Sequence, residues 1–347
     1  MDEPRSTPTM SDVAARAGVS PATVSRALNG GGVSAGARER VLAAVSELNY
    51  HPNRLARNMR HGSARIFSLI VSDISNPFFT AVARGAEDVA QANGYSLAVF
   101  NTDEDPVREA ACLSVVGAER SAGLVLASTN QAAESLAHVM RLKIPVVAID
   151  RRLTGVTTDL VAVDNATAAH EAVSRLIDLG HRRIAIVGGP KGVSTADERL
   201  AGYRRALRDH RLPINPELIR HANLRESGGR AEMPALLGLA EPPTAIFAVN
   251  NLTALGVLRA LRDRGVDIPG RMSVVAFDDL PIGDLLDPPL TVVQQPTHQI
   301  GATAAELLLR RIGDPAASVR EVLLSARLVV RGSIGPVPEH AQPEEAH

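Results

Sequence analysis

Seven apolar stretches in the later part of this chain run out into polar residues: Asp73, Asn101, Ser128, Asp150, Asp164, Asn250 and Asp278. As a set facing a shared crevice, some of them could contact a polar ligand. Carboxylates accept hydrogen bonds, asparagine amides both donate and accept, and Arg199 adds a rigid planar fork of donors. Phe78 and Phe79 can cover the apolar face of a sugar ring. The chain has no Trp, so any aromatic platform must be Phe or Tyr. Taken singly, each polar residue has a plainer reading as a helix cap or turn residue, and the two Phe as helix-to-core packing. As a set they suit the crevice beyond the carboxyl ends of parallel strands. Phe277, just before Asp278, is counted with them.

A second cluster near the start suits a different partner. Arg26 can hold guanine O6 and N7 with two hydrogen bonds. Ser20 and Thr23 can reach phosphates, and Pro21, Ala22 and Ser25 share their exposed face. Asn29 follows at the helix end. Farther on, Asn53, Arg54, Leu55, Arg57 and Met59 form a short stretch whose arginines suit phosphates. Leu55 or Met59 can wedge into a minor groove. The plainer readings are a small helical domain with a solvated face and a solvated linker. Charge distribution favours the first readings: residues 5–62 carry eight arginines against three acids, a net +5. The remainder sums to −6 in a chain whose total is −1, a basic head on an acidic body.

Elements must position both clusters. Met10 to Leu48 reads as three helices. Ser11 can cap the first, Gly18 stops it, and Ser20 caps the second with Pro21 at its first position. Ser34 caps the third, whose Val41, Leu42, Val45 and Leu48 repeat at helical spacing. The short turn at Gly18 sets two helices at a steep angle, which places the second for the major groove. From Ile66 onward, eight strand candidates (66–71, 96–100, 124–127, 146–149, 160–163, 184–187, 245–249 and 273–277) alternate with helical segments. Buried parallel strands with crossover helices follow, and their number fits two lobes.

Several motifs together resemble the LacI/GalR (lactose-repressor) family. They are Ser11-Asp12-Val13-Ala14, Ala17-Gly18-Val19-Ser20, Thr23-Val24-Ser25-Arg26 and Leu48-Asn49-Tyr50-His51-Pro52-Asn53. The resemblance continues to about Ser333 through Asp73–Phe79, Asp150-Arg151, Arg199–Tyr203, Asn250-Asn251 and Phe277–Asp279. It implies an all-α helix-turn-helix DNA-binding head and an α/β, two-lobed sensor domain of the periplasmic-binding-protein kind. It also implies a homodimer on palindromic double-stranded DNA, with paired hinge helices in the minor groove. There Met59 stands where the family usually has an intercalating leucine. Asn251 stands where it commonly has Asp, so either the ligand or a supporting hydrogen bond differs.

The expected division is a disordered extension over 1–9, a head over 10–52, a hinge over 53–63, a body over 64–332 and a disordered Pro- and Glu-rich tail over 333–347. Within the body, the first lobe takes 64–163 with 293–323, and the second takes 164–290 with 324–332. The tail lacks leucine heptads, which leaves a dimer. The single Cys112 excludes an intrachain disulfide and a cysteine-based zinc site. No metal-ligand cluster, phosphate loop or nucleophile elbow is present, so neither a cofactor nor a catalytic site is expected. With no signal-peptide core or membrane span, a cytoplasmic regulator controlled by a sugar or related polyol is expected. A solute receptor without a DNA role and a nucleotide-dependent α/β enzyme are the two rivals.

Overall fold

The computed structural model describes residues 8–28, 31–50, 64–129 and 133–337. The chain forms two compact units, 1–63 and 64–347. In the first unit, α1 (Met10–Ala17), α2 (Pro21–Leu28) and α3 (Ala35–Glu47) pack around Val13, Ala17, Val24, Ala27, Val41 and Tyr50. Thr9, not Ser11, caps α1. Its side chain takes the Asp12 N–H while the Asp12 carboxylate takes the Thr9 N–H. This reciprocal box satisfies two end donors at once. Gly18 closes the helix at φ 62°, a left-handed conformation that glycine enters without a Cβ penalty. Ser20 and Ser34 cap α2 and α3 as the spacing predicts. Leu42 is a correction: it is 52% exposed, because the buried stripe of α3 runs through Ala37, Val41 and Ala44.

The second unit holds two parallel-rich sheets. The first lobe is built from β1 (Ala64–Val71), α4 (Pro77–Ala92), β2 (Ser96–Asn101), α5 (Pro106–Ala118), β3 (Ser121–Leu126), α6 (Ala133–Arg141), β4 (Val146–Ile149) and β5 (Asp159–Val163). The chain then crosses into α7 (Asn165–Asp178), β6 (Ile184–Gly188), α8 (Ser194–Asp209), β7 (Ile219–His221), α9 (Glu226–Leu237), β8 (Ala245–Ala248), α10 (Asn251–Asp263), β9 (Ser273–Phe277) and β10 (Thr291–Gln294). It returns for α11 (Thr297–Gly313) and β11 (Glu321–Leu324), then crosses a third time to β12 (Arg327–Val329). Strand orders are β11-β5-β4-β3-β1-β2 and β12-β10-β9-β8-β6-β7. Every pairing is parallel except β10 with β12. Matched by sheet position, β4 corresponds to β9.

The eight anticipated strands are present with small shifts at their ends. Four more were not anticipated: β7, β10, β11 and β12. Three of these are short sheet-edge strands, and β11 alternates in exposure instead of running apolar. Such strands lack the continuous apolar run that marks a buried parallel strand.

Two expected boundaries move. Residues 293 and 294 pair with β9 and β12 in the second sheet, so the first lobe resumes only after them. The expected tail does not begin at 333. Ser333 is buried, its hydroxyl donates to Val274 O and accepts from Thr291 N–H, and its carbonyl accepts from Val274 N–H. Gly335 and Val337 are tied in as well, to Ser273, His181 and Leu179. These bonds supply partners that the backbone at the sheet edge would otherwise lack. Of the expected extension, only Pro8 and the capping Thr9 are described, and residues 338–347 lie outside the described residues.

Helix pairs press closely against both sheets. Gly85 on α4 and Gly301 on α11 face one another's backbones: a Cβ at either would meet a carbonyl oxygen at 1.9 Å. That approach fixes α4, whose N-terminus carries Asn76, Phe78 and Phe79. Asn76 caps α4 and Pro77 opens it.

Candidate functional site

On the head, α2 buries Val24 and Ala27 and turns Pro21, Ala22 and Arg26 outward, with Thr23 and Ser25 half-buried. The period of 3.6 residues separates these faces. The Ser20 hydroxyl accepts from Thr23 N–H and pairs with the Thr23 hydroxyl, so both lie at the start of α2. The Arg26 Nε makes a long contact to Ala22 O, 3.4 Å. Asn29, Asn53, Arg54, Leu55, Arg57 and Met59 lie outside the described residues.

In the body, a cleft opens between the lobes, with about 480 Å³ of space including its mouth. Asp73, Phe78, Phe79, Asp150, Arg199, Asn250 and Asp278 all line it. Asp73, Asp150, Asn250 and Asp278 arrive there because each follows a strand's carboxyl end, as the crevice rule requires, while Phe78 and Phe79 come from the start of α4 and Arg199 from α8. Asn250 does two jobs: its Oδ1 accepts from Thr253 N–H to cap α10, and its Nδ2 donates to Leu224 O. Asp164 is purely a cap, accepting from Thr167 N–H. Phe78 and Phe79 meet edge to face with centroids 4.9 Å apart, and both are buried.

Arg199 is the centre of the cleft. Its Nε donates to Asn165 Oδ1 at 2.8 Å and its Nη1 to Val249 O at 2.6 Å, with Asp278 Oδ2 3.7 Å from Nη1. The guanidinium lies 3.6 Å from the centre of the Phe277 ring. Desolvation pulls Arg199 below an ordinary arginine, while Asp278 and Asp150 act to hold its charge. Asp278 accepts from Gln295 Nε2 at 2.6 Å, yet burial still raises its pKa. Asp279 turns away to pair with Arg331.

Asp150 is the unsatisfied member. Burial pushes its carboxyl up to about 6, with Arg151 and Arg199 opposing and Asp278 and Glu104 reinforcing. No hydrogen bond from the described residues reaches that carboxylate, and the nearest cation, Arg151 Nε, is 3.7 Å away. Arg151 Nε is itself buried without a partner. The rest of the Arg151 guanidinium is held by Glu104, at 2.7 and 2.5 Å. Burial opposes ionisation of Glu104, but those bonds outweigh it and lower its pKa. A buried acceptor and a buried donor therefore wait for a group that can donate and accept, as a hydroxyl does.

Two sequence expectations fail here. Ser128 does not line the cleft: its hydroxyl donates to Glu109 and its carbonyl accepts from Arg151, which places it behind the wall. Phe277 is fully buried under Arg199 and supports that side chain from the core. Both lie at strand ends, but alternation along the strand points them away from the crevice. Conversely, Glu104 and Arg225 line the cleft without having been singled out, and Arg151, named only within the Asp150-Arg151 motif, lines it too. Glu104 belongs to an Asp103-Glu104-Asp105-Pro106 loop after β2, and that acidic cluster beside a strand end was the available signal. The Asn251 departure falls on a supporting bond. Its Nδ2 donates to Asn76 Oδ1 at 3.0 Å across the lobes and to Asp279 O at 3.3 Å.

Among the described residues no group of His, Cys, Asp and Glu could hold a metal ion. No helix among them is long and apolar enough to cross a membrane.

Comparison with known proteins adds independent findings. Residues 9–53 match the family model described as bacterial regulatory proteins, lacI family. Residues 173–334 match a periplasmic binding protein-like domain. The chain is 33% identical over 331 residues to the HTH-type transcriptional repressor CytR of Escherichia coli (strain K12), covering 95% of this chain and 97% of CytR. It is 34% identical over 330 residues to the ribose operon repressor of Haemophilus influenzae, covering 94% and 98%. Among solved structures, the lac repressor dimer bound to operator and the anti-inducer ONPF matches with TM-score 0.83 and 28% identity, over 94% of this chain and 99% of that one. The complex of the transcriptional regulator CelR with cellobiose matches with TM-score 0.72 and 31% identity, over the same shares.

Proposed function

The chain belongs to the lacI family of bacterial regulatory proteins, and from that premise we propose how its residues divide the work of a DNA-binding regulator controlled by a small molecule. Two copies place α2 of each head in the major groove of a palindromic operator, with Arg26 against a base edge. The hinge residues Asn53–Met59 meet the DNA between the half-sites. A neutral polyol or sugar enters the cleft and bridges Asp150, Arg199, Asn250 and Asp278. Binding that favours one lobe arrangement over the other changes operator affinity. A coupling of about 1–3 kcal/mol changes it roughly 5- to 150-fold. The regulator acts as a repressor in the cytoplasm, and catalysis has no part in its action.

The observation that supports the ligand class is the Asp150 carboxylate 3.7 Å from Arg151 Nε, with no hydrogen bond from the described residues to either group. Ribose and cellobiose, the sugars named with relatives, are the first candidates. The test is selection of a preferred duplex from random DNA, followed by titration of that complex with a panel of monosaccharides and cellobiose. A selected site whose affinity shifts with one sugar supports the reading. No preference for any duplex over random competitor, with or without sugars, rejects it.

A further inference from the structure

A chain of contacts leaves the cleft at Arg199 and ends at the interlobe hinge, the segments by which the chain crosses between the two lobes. Asn165 is the first helical residue after the first crossing between lobes, and it is buried. Its Oδ1 takes the Arg199 Nε, and its Nδ2 donates to Glu198 Oε2 at 2.9 Å. Glu198, beside Arg199 on α8 of the second lobe, also meets Arg152 of the first lobe, with Arg152 Nε 3.3 Å from Glu198 Oε1. Arg152 reaches onward to Glu321 Oε1 at 2.6 Å, and its backbone N–H donates to Ser194 Oγ at 3.2 Å. Glu321 begins β11, which pairs with β5 and leads directly into the third crossing. Arg152 thus links Glu198 of the second lobe to the first residue of β11, the strand that runs into the third crossing.

We propose that Arg152 and Glu198 form an interlobe strut that couples Arg199 to the hinge and sets how far the lobes close. Neither lines the cleft, so they act as positioning residues. Glu198 holds Asn165, Asn165 holds Arg199, and Arg152 carries the same carboxylate's pull onto the first lobe. A ligand that draws on Arg199 moves a group already tied to the hinge strands. The pair is half-exposed, with side-chain exposures of 46% and 33%. Its effect on the closed-to-open ratio is therefore about two- to fivefold and weakens with salt.

The strut rests on the reading that lobe closure is the signal, but its test needs no ligand. Spin labels are placed at Glu134→Cys on α6 and Arg208→Cys on α8 of the full-length protein in a Cys112→Ser background. Pulsed dipolar spectroscopy then reports the interlobe distance distribution. Arg152→Gln and Glu198→Gln each lower the closed-to-open ratio about two- to fivefold, seen as weight moved to longer distances. The double variant shifts no further than either single one, and Arg152→Lys keeps most of the closed population. Gln at 198 still accepts from Asn165, so it removes the charge while sparing the fold. Unshifted distances in both single variants, or additive shifts in the double, overturn the strut while leaving closure intact. One fixed distance in every protein, with and without a sugar panel, overturns closure and the strut together.

Discussion

Asp150 and Asp278 occupy matching places in the two lobes. Asp150 follows the last residue of β4 and Asp278 the last residue of β9, strands in the same position of their sheets. Both adopt left-handed backbone, at φ 62° and 66°. Asp278 is buried, Asp150 nearly so, and both act on Arg199. They differ in satisfaction: Asp278 has Gln295, whereas no hydrogen bond from the described residues reaches Asp150.

That difference sets a pH dependence. The folded pKa of Asp150, about 6, is above the roughly 3.9 of a free aspartate. Between those values the folded chain keeps a proton that the unfolded chain has released. This carboxylate therefore takes stability away as pH rises through about 4 to 6, and the loss is complete above that. Asp150→Asn should raise the melting temperature of the free protein at pH 8 and leave it nearly unchanged at pH 4. An equal shift at both pH values would contradict the assignment.

Arg26 should separate specific from nonspecific binding. If Arg26 meets a base edge as proposed, Arg26→Ala should remove a contact of about 1–3 kcal/mol, a roughly 5- to 150-fold loss on the selected duplex. Affinity for random duplex should fall far less. Equal losses on both, measured by fluorescence anisotropy at fixed salt, would make Arg26 a phosphate contact.

Asp278→Ala should remove the sugar response and spare DNA binding by the free protein. The variant leaves Arg199 buried with less counter-charge and deletes an acceptor from the cleft. Calorimetric titration with the responding sugar should show at least a tenfold weaker affinity. Unaltered affinity would mean that the ligand binds elsewhere.

Gly85→Ala should be among the most damaging single-methyl additions. Its Cβ would sit 1.9 Å from the His298 carbonyl oxygen, so α4 and α11 must part. Overpacking costs about 1–3 kcal/mol or more. Gly313→Ala, at the end of α11 with nothing within 4 Å, serves as control and should leave stability within about 0.5 kcal/mol. Similar denaturation midpoints for the two variants would show that the helix contact is softer than its geometry.

Ser333→Ala should destabilise the second lobe by about 1–3 kcal/mol, since it leaves the buried Thr291 N–H without an acceptor. Denaturation by urea would reveal it. A midpoint equal to that of the unaltered protein would mean that the end of the chain contributes nothing to the fold.

Local chemistry was legible in the residue order. Gly18, Ser20 and Pro21 state a helix stop, a cap and a helix start without reference to anything distant, because each acts on its own backbone. Strand ends at Asp73, Asp150, Asn250 and Asp278 were legible because an apolar run that terminates in a polar residue marks a boundary between core and solvent. Burial on both faces leaves that run nearly unbroken, so the central strands stood out while the edge strands β7, β11 and β12 did not.

What only tertiary structure decided is which of those polar groups are already satisfied. Asp164 is occupied as a cap, Ser128 is spent on Glu109, and Asp278 has Gln295, while Asp150 and Arg151 Nε remain open. Apart from the local cap at Asp164, the order of residues cannot state this, because the partners lie far along the chain. Glu104 and Arg151, within the first lobe, are 47 residues apart, and Asn76 and Asn251, from different lobes, are 175 apart. The first pairing exists only once its sheet is folded, the second only once the lobes meet. The types of group available are a property of the sequence; their vacancy is a property of the packed cleft.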